Sequence, residues 1–307
     1  DPLELQALQR PDKTALIEDG GPSLTYGELL WKSRRILGAL RAEGLNEGGR
    51  VAALAKNEAD LVLLFLACRA GGFTLCPLNW RLSEPELKAV LGDFSPALVY
   101  HGGGFSAAAG RLAAGCGAKS RPLGAGARSA ETGRDAEPEA IPLVLYTSGT
   151  TGRPKGAMLS NRMLLANAEL TLRGWGLGSE DSTLSCAPLF HTGGWNVMTL
   201  PLLFAGGTVT LTPKFDAARA AALLRAGKAT ALFGVPAMFQ CLLGEDLTGA
   251  KPKFLISGGA PCPARQGLFC RSRRAGEGSG PARDRGRQAQ PGPGPDDGQM
   301  YQQGGNP

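Results

Sequence analysis

The chain has 307 residues, 43% of them hydrophobic, with a formal net charge of +6 at pH 7 and a pI near 9.0. This length allows one to three domains with a large buried core. The most apolar run, LVLLFLA at 61–67, is far shorter than the roughly 20 residues that cross a bilayer, which excludes a transmembrane class. The seven cysteines lack Cys-x-x-Cys spacing. We therefore expect scattered core thiols in a reducing cytoplasm, with neither a disulfide framework nor a zinc site.

The elements alternate regularly along most of the chain. Thr25 with Glu28 and Ser83 with Glu86 form two capping-box patterns, each followed by apolar residues at helical spacing. In chain order we predict helices within 23–45, 58–70, 83–94, 161–174, 194–205, 216–227 and 236–243. Strands are predicted at 50–55, 73–78, 97–100, 141–146, 156–160, 182–187, 208–212, 230–235 and 253–259.

This alternation predicts the fold class. Strands separated by helices of ten or more residues require crossover connections, and such connections build parallel sheets. We expect a doubly wound α/β body of stacked, mainly parallel sheets over residues 1–263. The stretch 101–139 is rich in Gly, Ala and Arg and has little periodicity, so it is predicted to be an irregular surface connection.

The segment 264–307 has a different composition, rich in Arg, Gly and Pro with few large apolar residues. Such a sequence buries too little surface to offset chain entropy, so we predict a disordered low-complexity tail. A basic nucleic-acid arm is the alternative. The abrupt loss of periodicity near Ala264 is also what a frameshift in a GC-rich gene or a truncated gene model would produce.

The segment YTSGTTGRPKG, at 146–156, follows an apolar strand. Its glycines let backbone N–H groups approach a ligand closely, its hydroxyl side chains add donors, and Arg153 and Lys155 add positive charge. Such a set of donors suits a polyphosphate. The Walker A pattern is absent, because Gly156 follows Lys155 where that motif requires Ser or Thr. Composition alone does not separate this interpretation from a mobile basic surface loop.

Further segments, in order and spacing, carry a family resemblance: LTYGEL at 24–29, CPLN at 76–79, APLFHTGGW at 187–195, FGVPAMF at 233–239 and ISGGAP at 256–261. With YTSGTTGRPKGAMLSN, they are similar to the signature motifs of the adenylate-forming superfamily, which contains the acyl-CoA synthetases. The resemblance covers about residues 1–263. It implies the large N-terminal domain of an acid–thiol ligase that binds ATP with Mg2+ and uses coenzyme A as co-substrate.

The resemblance also implies roles for particular residues. Lys155 and His191 would be the catalytic residues. The nucleotide-binding residues would be Thr147, Ser148, Gly149, Thr150, Thr151, Gly152 and Lys155 at the phosphates and Gly258, Gly259, Ala260 and Pro261 at the adenine. The residues binding the acid would be His191, Gly193, Gly194, Trp195 and Phe233.

Each of these residues also has a structural interpretation. A lone histidine such as His191 is more often a hydrogen-bonding partner in the fold, and His101, which has no motif around it, is assigned that role. Aromatic and methionine side chains at these spacings often belong to the core. Trp195, Met198, Phe233 and Met238 are candidates to line an apolar acyl tunnel, and this alternative applies to all four. The glycines of ISGGAP could simply end a strand.

The chain also departs from the family pattern. After ISGGAP the family has an aromatic-Gly-x-Thr-Glu motif, then a ribose-binding Asp and a C-terminal domain with a catalytic lysine, and none of these appears here. No residue is therefore assigned to the metal, and the chain is expected to be weakly active or inactive as an enzyme. The alternative is a non-catalytic nucleotide- or acyl-binding remnant, or a scaffold.

The expected partners are small molecules: ATP, a carboxylic acid and coenzyme A. The apolar pocket candidates favour a fatty acid of medium or long chain, and an aryl acid remains open. No specific nucleic acid and no membrane-spanning segment are expected, and a homodimer is compatible with the sequence.

Overall fold

A computed structural model of the chain describes residues 1–127, 130–133, 137–148 and 153–261. The predicted tail at 264–307 therefore lies outside the described residues, as do the central residues of the predicted phosphate loop at 149–152. The residues up to Pro261 belong to one compact unit.

The helices are α1 Pro2–Gln9, α2 Tyr26–Ala42, α3 Ala59–Gly71, α4 Glu84–Phe94, α5 Ser106–Gly115, α6 Asn161–Trp175, α7 Thr192–Asn196, α8 Thr199–Ala205, α9 Ala217–Arg225 and α10 Pro236–Leu242. The strands are β1 Thr14–Glu18, β2 Ser23–Thr25, β3 Arg50–Leu54, β4 Thr74–Pro77, β5 Leu98–His101, β6 Lys119–Pro122, β7 Leu143–Ser148, β8 Pro154–Leu159, β9 Ser182–Ser185, β10 Thr208–Leu211, β11 Ala231–Gly234 and β12 Phe254–Ser257.

The strands form two six-stranded sheets. The first has the order β12-β11-β9-β10-β1-β2, and the second has the order β6-β5-β3-β4-β7-β8. Among the described strands, neighbours run parallel except in two hairpin-like pairs, β1 with β2 and β7 with β8. The predicted α/β class with mainly parallel sheets is confirmed.

The burial pattern sets the layers. Along β3, Val51 and Ala53 belong to the large central apolar cluster, whereas Ala52 and Leu54 belong to a second cluster with α4 and α5. This alternation means that both faces of the second sheet are covered. The central cluster also holds apolar residues of α2, α3, α6, α8, β1 and β10. A third cluster joins the outer face of the first sheet to α9 and α10. Helices therefore lie between the sheets and outside each of them.

Local sequence signals explain several boundaries. The Glu28 carboxylate accepts a hydrogen bond from Thr25 N at 2.8 Å, and Glu28 N donates to Thr25 Oγ1 at 3.2 Å, which confirms the first capping box. At α4, the Glu86 carboxylate accepts from Ser83 N at 2.8 Å. Asp216 caps α9 by accepting from Arg219 N at 2.8 Å.

Three expectations need correction. The predicted irregular connection at 101–139 contains α5 and β6, because its alanine run favours helix and Leu112 anchors it on the core. The single helix predicted at 194–205 is two helices, α7 and α8, and Pro201 lies in the first turn of α8, where its missing N–H is tolerated. The N-terminal elements α1, β1 and β2 were not predicted, and β1 is an interior strand of its sheet.

The cysteines of the described residues are unpaired. Cys68, Cys76 and Cys186 are buried, as expected for core thiols, whereas Cys116 is half-buried and Cys241 is exposed. Within the same residues, every helix is too short or too polar to cross a membrane.

Candidate functional site

The predicted phosphate loop is the connection of a hairpin. β7 and β8 run antiparallel, with Tyr146 opposite Gly156, Thr147 opposite Lys155 and Ser148 opposite Pro154. Gly149, Thr150, Thr151 and Gly152 lie outside the described residues, and Ser148 is described in its backbone only. The exposed Thr147 and Lys155 are cross-strand neighbours, and Thr147 Oγ1 donates to the Lys155 carbonyl at 3.5 Å. The residues on either side of the loop are therefore paired with each other across the hairpin.

Gly156 is required by close packing. A Cβ at this position would lie 2.9 Å from Val144 Cγ1 and 3.1 Å from Cζ of the Tyr146 ring. The Tyr146 hydroxyl donates a hydrogen bond to the Asp93 carboxylate on α4, and burial of the phenol, with this bond, raises its pKa. Tyr146 therefore joins the hairpin to α4 immediately before Thr147.

A cavity of about 400 Å³ opens between α4 and the hairpin. Thr147 and Pro154 contribute from the hairpin and His191 from the loop before α7, so two separately predicted motifs meet at one cavity. The rest of its lining is mostly apolar and comes from the end of β4, α4 and β7: Pro77, Leu78, Asn79, Leu82, Glu86, Leu87, Ala89, Val90 and Tyr146.

His191 lies at the start of α7, and its ring packs against Phe190 with centroids 4.6 Å apart. Burial lowers the pKa of His191 below its ordinary value, and the positive charge of Arg81 lowers this pKa further. The Arg81 guanidinium itself lies 5.1 Å from the Trp80 ring centroid and 5.6 Å from that of Phe190. A lowered pKa favours the uncharged form of the imidazole near neutral pH.

The turn before α7 is closely packed against the protein core. His191 N donates to Pro188 O at 3.0 Å, and Gly194 N donates to His191 O at 3.0 Å. A Cβ on Gly194 would lie only 2.3 Å from Pro188 O. Trp195 is fully buried, its ring centroid is 4.9 Å from that of Phe65, and its indole N–H donates to Leu189 O. Trp195 thus supports the turn from the core, and its contact with a substrate stays a prediction.

Phe233 links two other predicted motifs. A Cβ on Gly193 would lie 2.9 Å from Phe233 Cε1, and a Cβ on Gly258 would lie 3.1 Å from Phe233 Cε2. The half-buried Phe233 ring therefore lies against both glycines. The predicted acid-binding and adenine-binding segments thus meet at Phe233, on the β11 and β12 end of the first sheet.

The ISGGAP segment ends β12. Gly258 N donates to Gly234 O at 3.1 Å, and Gly259 has φ +86°, a backbone conformation that favours glycine. Ala260 and Pro261 follow as exposed residues. This turn presents a small, open surface, as flat packing of a base would require, although it is not part of the cavity lining.

The other candidates have structural surroundings. Met198 is buried in the central cluster, and Met238 is half-buried with its sulfur 3.9 Å from the Cys186 thiol. His101 is half-buried at the end of β5, with Nδ1 3.4 Å from Gly102 O, and no functional role is assigned to it.

Several residues around the site were not singled out from the sequence. Asn57 contacts the His191 turn, Asp93 bonds Tyr146, and Arg81 lies beside His191. Glu58 is half-buried near Glu18 and Asp60, and burial with these like charges raises its pKa to about 7. The contacts of Asn57, Asp93 and Arg81 join residues far apart in the chain, so no local motif signals them.

Among the residues that the structure describes, no group of three or more His, Cys, Asp or Glu side chains converges as a metal site. We therefore assign no residue of this chain to magnesium.

The fold and motifs agree with comparisons to known proteins. The profile of the AMP-binding enzyme family matches residues 3–278, and the chain belongs to this family. Its solved neighbours include the ATP-bound MatB of Rhodopseudomonas palustris, with a TM-score of 0.76 and 31% identity over 85% of this chain and 55% of that chain.

The curated relatives include a CoA synthase and two ligases. The chain is 36% identical to a feruloyl-CoA synthase from an Amycolatopsis species, over 84% of this chain and 54% of the relative. It is 34% identical to the indoleacetate–CoA ligase of Aromatoleum aromaticum, over 79% and 50%, and to a fatty acid–[acyl-carrier-protein] ligase of Streptomyces coeruleorubidus, over 78% and 49%. The chain thus spans about half the length of these curated relatives.

Proposed function

We propose that the protein takes part in the ATP-dependent activation of a carboxylic acid, first to an acyl-adenylate and then to a thioester with coenzyme A. Family membership and the CoA-ligase relatives support this proposal. In the first step a carboxylate oxygen attacks the α-phosphorus of ATP, and the bond to the bridging oxygen breaks to release pyrophosphate. In the second step a thiolate attacks the acyl carbonyl and AMP leaves.

The observation that carries the proposal is the convergence of motifs at one place. Thr147 and Pro154 of the hairpin that flanks the phosphate loop line the same cavity as His191, which follows Pro154 by 37 positions in the chain. Gly193 and Gly258 meet on Phe233. The groups that bind the phosphates, the acid and the adenine base would thus be distributed around one site.

In this proposal Lys155 binds the departing phosphates. Phosphoryl transfer needs positioning and neutralisation of developing charge more than a nucleophilic side chain. Lys155 is exposed beside Thr147 at the mouth of the hairpin, and in the described residues its ammonium has no ion pair to compete with a phosphate. Ser148 and residues 149–152 would supply the remaining hydroxyl and N–H donors.

His191 would orient the reacting carboxylate. Because burial and Arg81 lower its pKa, the imidazole is neutral at pH 7 and contributes one hydrogen-bond donor without a full charge. A neutral donor fits a site where the carboxylate must remain ionised to attack, since a full positive charge would stabilise the carboxylate in its unreacted state.

The proposed acid is hydrophobic. The sequence favours a medium- or long-chain fatty acid, and one relative is a fatty-acid ligase, whereas the feruloyl and indoleacetate ligases favour an aryl acid. A panel of octanoate, palmitate, ferulate and indoleacetate separates these classes.

The test is pyrophosphate release by the purified chain with ATP, magnesium and each acid, run beside calorimetric binding of ATP. We expect measurable ATP binding and slow release that depends on a hydrophobic acid, because the chain spans about half the length of its relatives. Release as fast as in full-length CoA ligases would contradict the expectation of weak activity. ATP binding without release for any acid would favour the alternative, a non-catalytic binding remnant, and absence of ATP binding would contradict the proposal.

A further inference from the structure

Asn57 connects the two sheets at the His191 turn. It follows the end of β3 in the second sheet, and its side chain reaches the loop after β9 in the first sheet. Its Nδ2 donates to Ala187 O at 2.9 Å, and its Oδ1 accepts from Leu189 N at 2.9 Å. The residue is only 6% exposed, so neither bond has water as a ready substitute.

The two bonds bracket Pro188. Proline has no backbone N–H, so the loop at Pro188 cannot be held through its own donor. Asn57 instead binds the carbonyl before Pro188 and the N–H after it. The Pro188 carbonyl is then positioned to accept from His191 N. One amide side chain therefore sets the start of the turn from which His191 projects.

Leu189 carries the second half of this arrangement. Its N–H donates to Asn57, and its carbonyl accepts from the indole of Trp195. The peptide groups of Leu189 are thus held from both sides, by a residue of the β3 end and by a residue of α7.

From these contacts we infer that Asn57 is a positioning residue for His191, acting through the loop at Pro188. The inference rests on the proposed role of His191 in orienting the acid. Removal of either amide bond would free the loop and change the surroundings of the imidazole, while the sheets and the central cluster stay formed. A displacement of about 1 Å in a group that contacts the ligand can greatly weaken its interaction with that ligand.

The chain offers a matched control. Asn161 is 1% exposed, and its side chain is also bonded at both ends, with Oδ1 accepting from Arg69 Nε at 3.0 Å and Nδ2 donating to Glu137 O at 2.9 Å. It does not contact the His191 turn through these bonds. Asn161→Ala therefore removes the same chemistry from a buried site elsewhere in the fold.

The experiment uses the two histidines of the chain as probes. Imidazole C–H signals are recorded by NMR in the complete chain, and His101→Gln assigns them. In Asn57→Ala we expect the His191 signal to move and its pKa to rise toward the ordinary value of about 6.5, with the His101 signal unchanged. Asn161→Ala is expected to lose stability while leaving the His191 signal in place. Asn57→Ser, which keeps a small uncharged polar side chain, serves if Asn57→Ala does not fold, and the same displacement of the His191 signal is expected.

Equal His191 spectra in wild type and the folded Asn57 variant, or the same change in Asn161→Ala, would overturn the inference. Titration with ATP plus octanoate or ferulate tests the function separately. If His191 responds to these ligands, we expect Asn57→Ala to weaken their binding by about tenfold or more and Asn161→Ala to leave it unchanged. Equal binding by wild type and Asn57→Ala would also overturn the inference. A His191 signal that ignores the ligands in wild type would contradict the proposed function and leave the structural effect of Asn57 measurable.

Discussion

Trp195→Ala is expected to lower the free energy of unfolding by about 3–5 kcal/mol. The indole is 0% exposed, packs on Phe65 at a centroid distance of 4.9 Å and donates to Leu189 O, so its removal leaves a large cavity and an unpaired carbonyl. Urea denaturation of the purified chain measures this loss. The result matters for function, because the sequence assigns Trp195 to the substrate.

The matched control is Trp31→Ala. Trp31 is 51% exposed on α2, and its described ring contact is with Arg35, whose guanidinium lies 4.8 Å from the ring centroid. This variant should lose about 1 kcal/mol or less. A similar small loss for Trp195→Ala, accompanied by weaker binding of the acid, would contradict the core assignment and favour a direct substrate contact.

Gly194→Ala is expected to destabilise the protein by about 3 kcal/mol, at the upper end for added methyl groups in packed sites. The new Cβ would lie 2.3 Å from Pro188 O and 2.8 Å from Ala187 O, and both are backbone atoms that move only with the turn. The loop that carries His191 must therefore shift. Thermal unfolding gives the stability, and the His191 NMR signal reports the shift.

Gly174→Ala is the control for this substitution. Gly174 lies within α6, and a Cβ there would meet no heavy atom within 4 Å. Alanine should stabilise this helical position by about 0.4–1 kcal/mol. If Gly194→Ala and Gly174→Ala change the stability alike, the close approach of Gly194 to the Pro188 carbonyl would be contradicted.

Local patterns predicted the elements whose signals are short-range. The pairing of Thr25 with Glu28 marked the start of α2, and the pairing of Ser83 with Glu86 marked the start of α4, because a cap is decided within four residues. The alternation of strands with helices was enough for mainly parallel sheets. By contrast, α5 was missed because an alanine-rich run has helix propensity without a strong apolar stripe.

The site was predicted only in part, because its motifs are local in the sequence whereas the contacts between them are not. Motifs brought forward the phosphate-loop hairpin and His191, but the meeting of Thr147, Pro154 and His191 at one cavity depends on sheet order, which a single sequence does not contain. Asn57 lies 130 positions before Ala187, and an isolated asparagine after a strand gives no sign of this partner. The burial of Trp195 likewise depends on Phe65 of α3, far away in the chain.

The central claim is that the β7–β8 hairpin holds the phosphates of ATP through Lys155, and calorimetric titration with ATP tests it most directly. Loss of a charged hydrogen bond is worth about 1.5–3 kcal/mol, so Lys155→Ala should bind ATP about tenfold or more weakly than wild type. Lys228→Ala, at an exposed lysine after α9, is the charge-matched control and should bind like wild type. Equal ATP affinity for wild type and Lys155→Ala would contradict the claim.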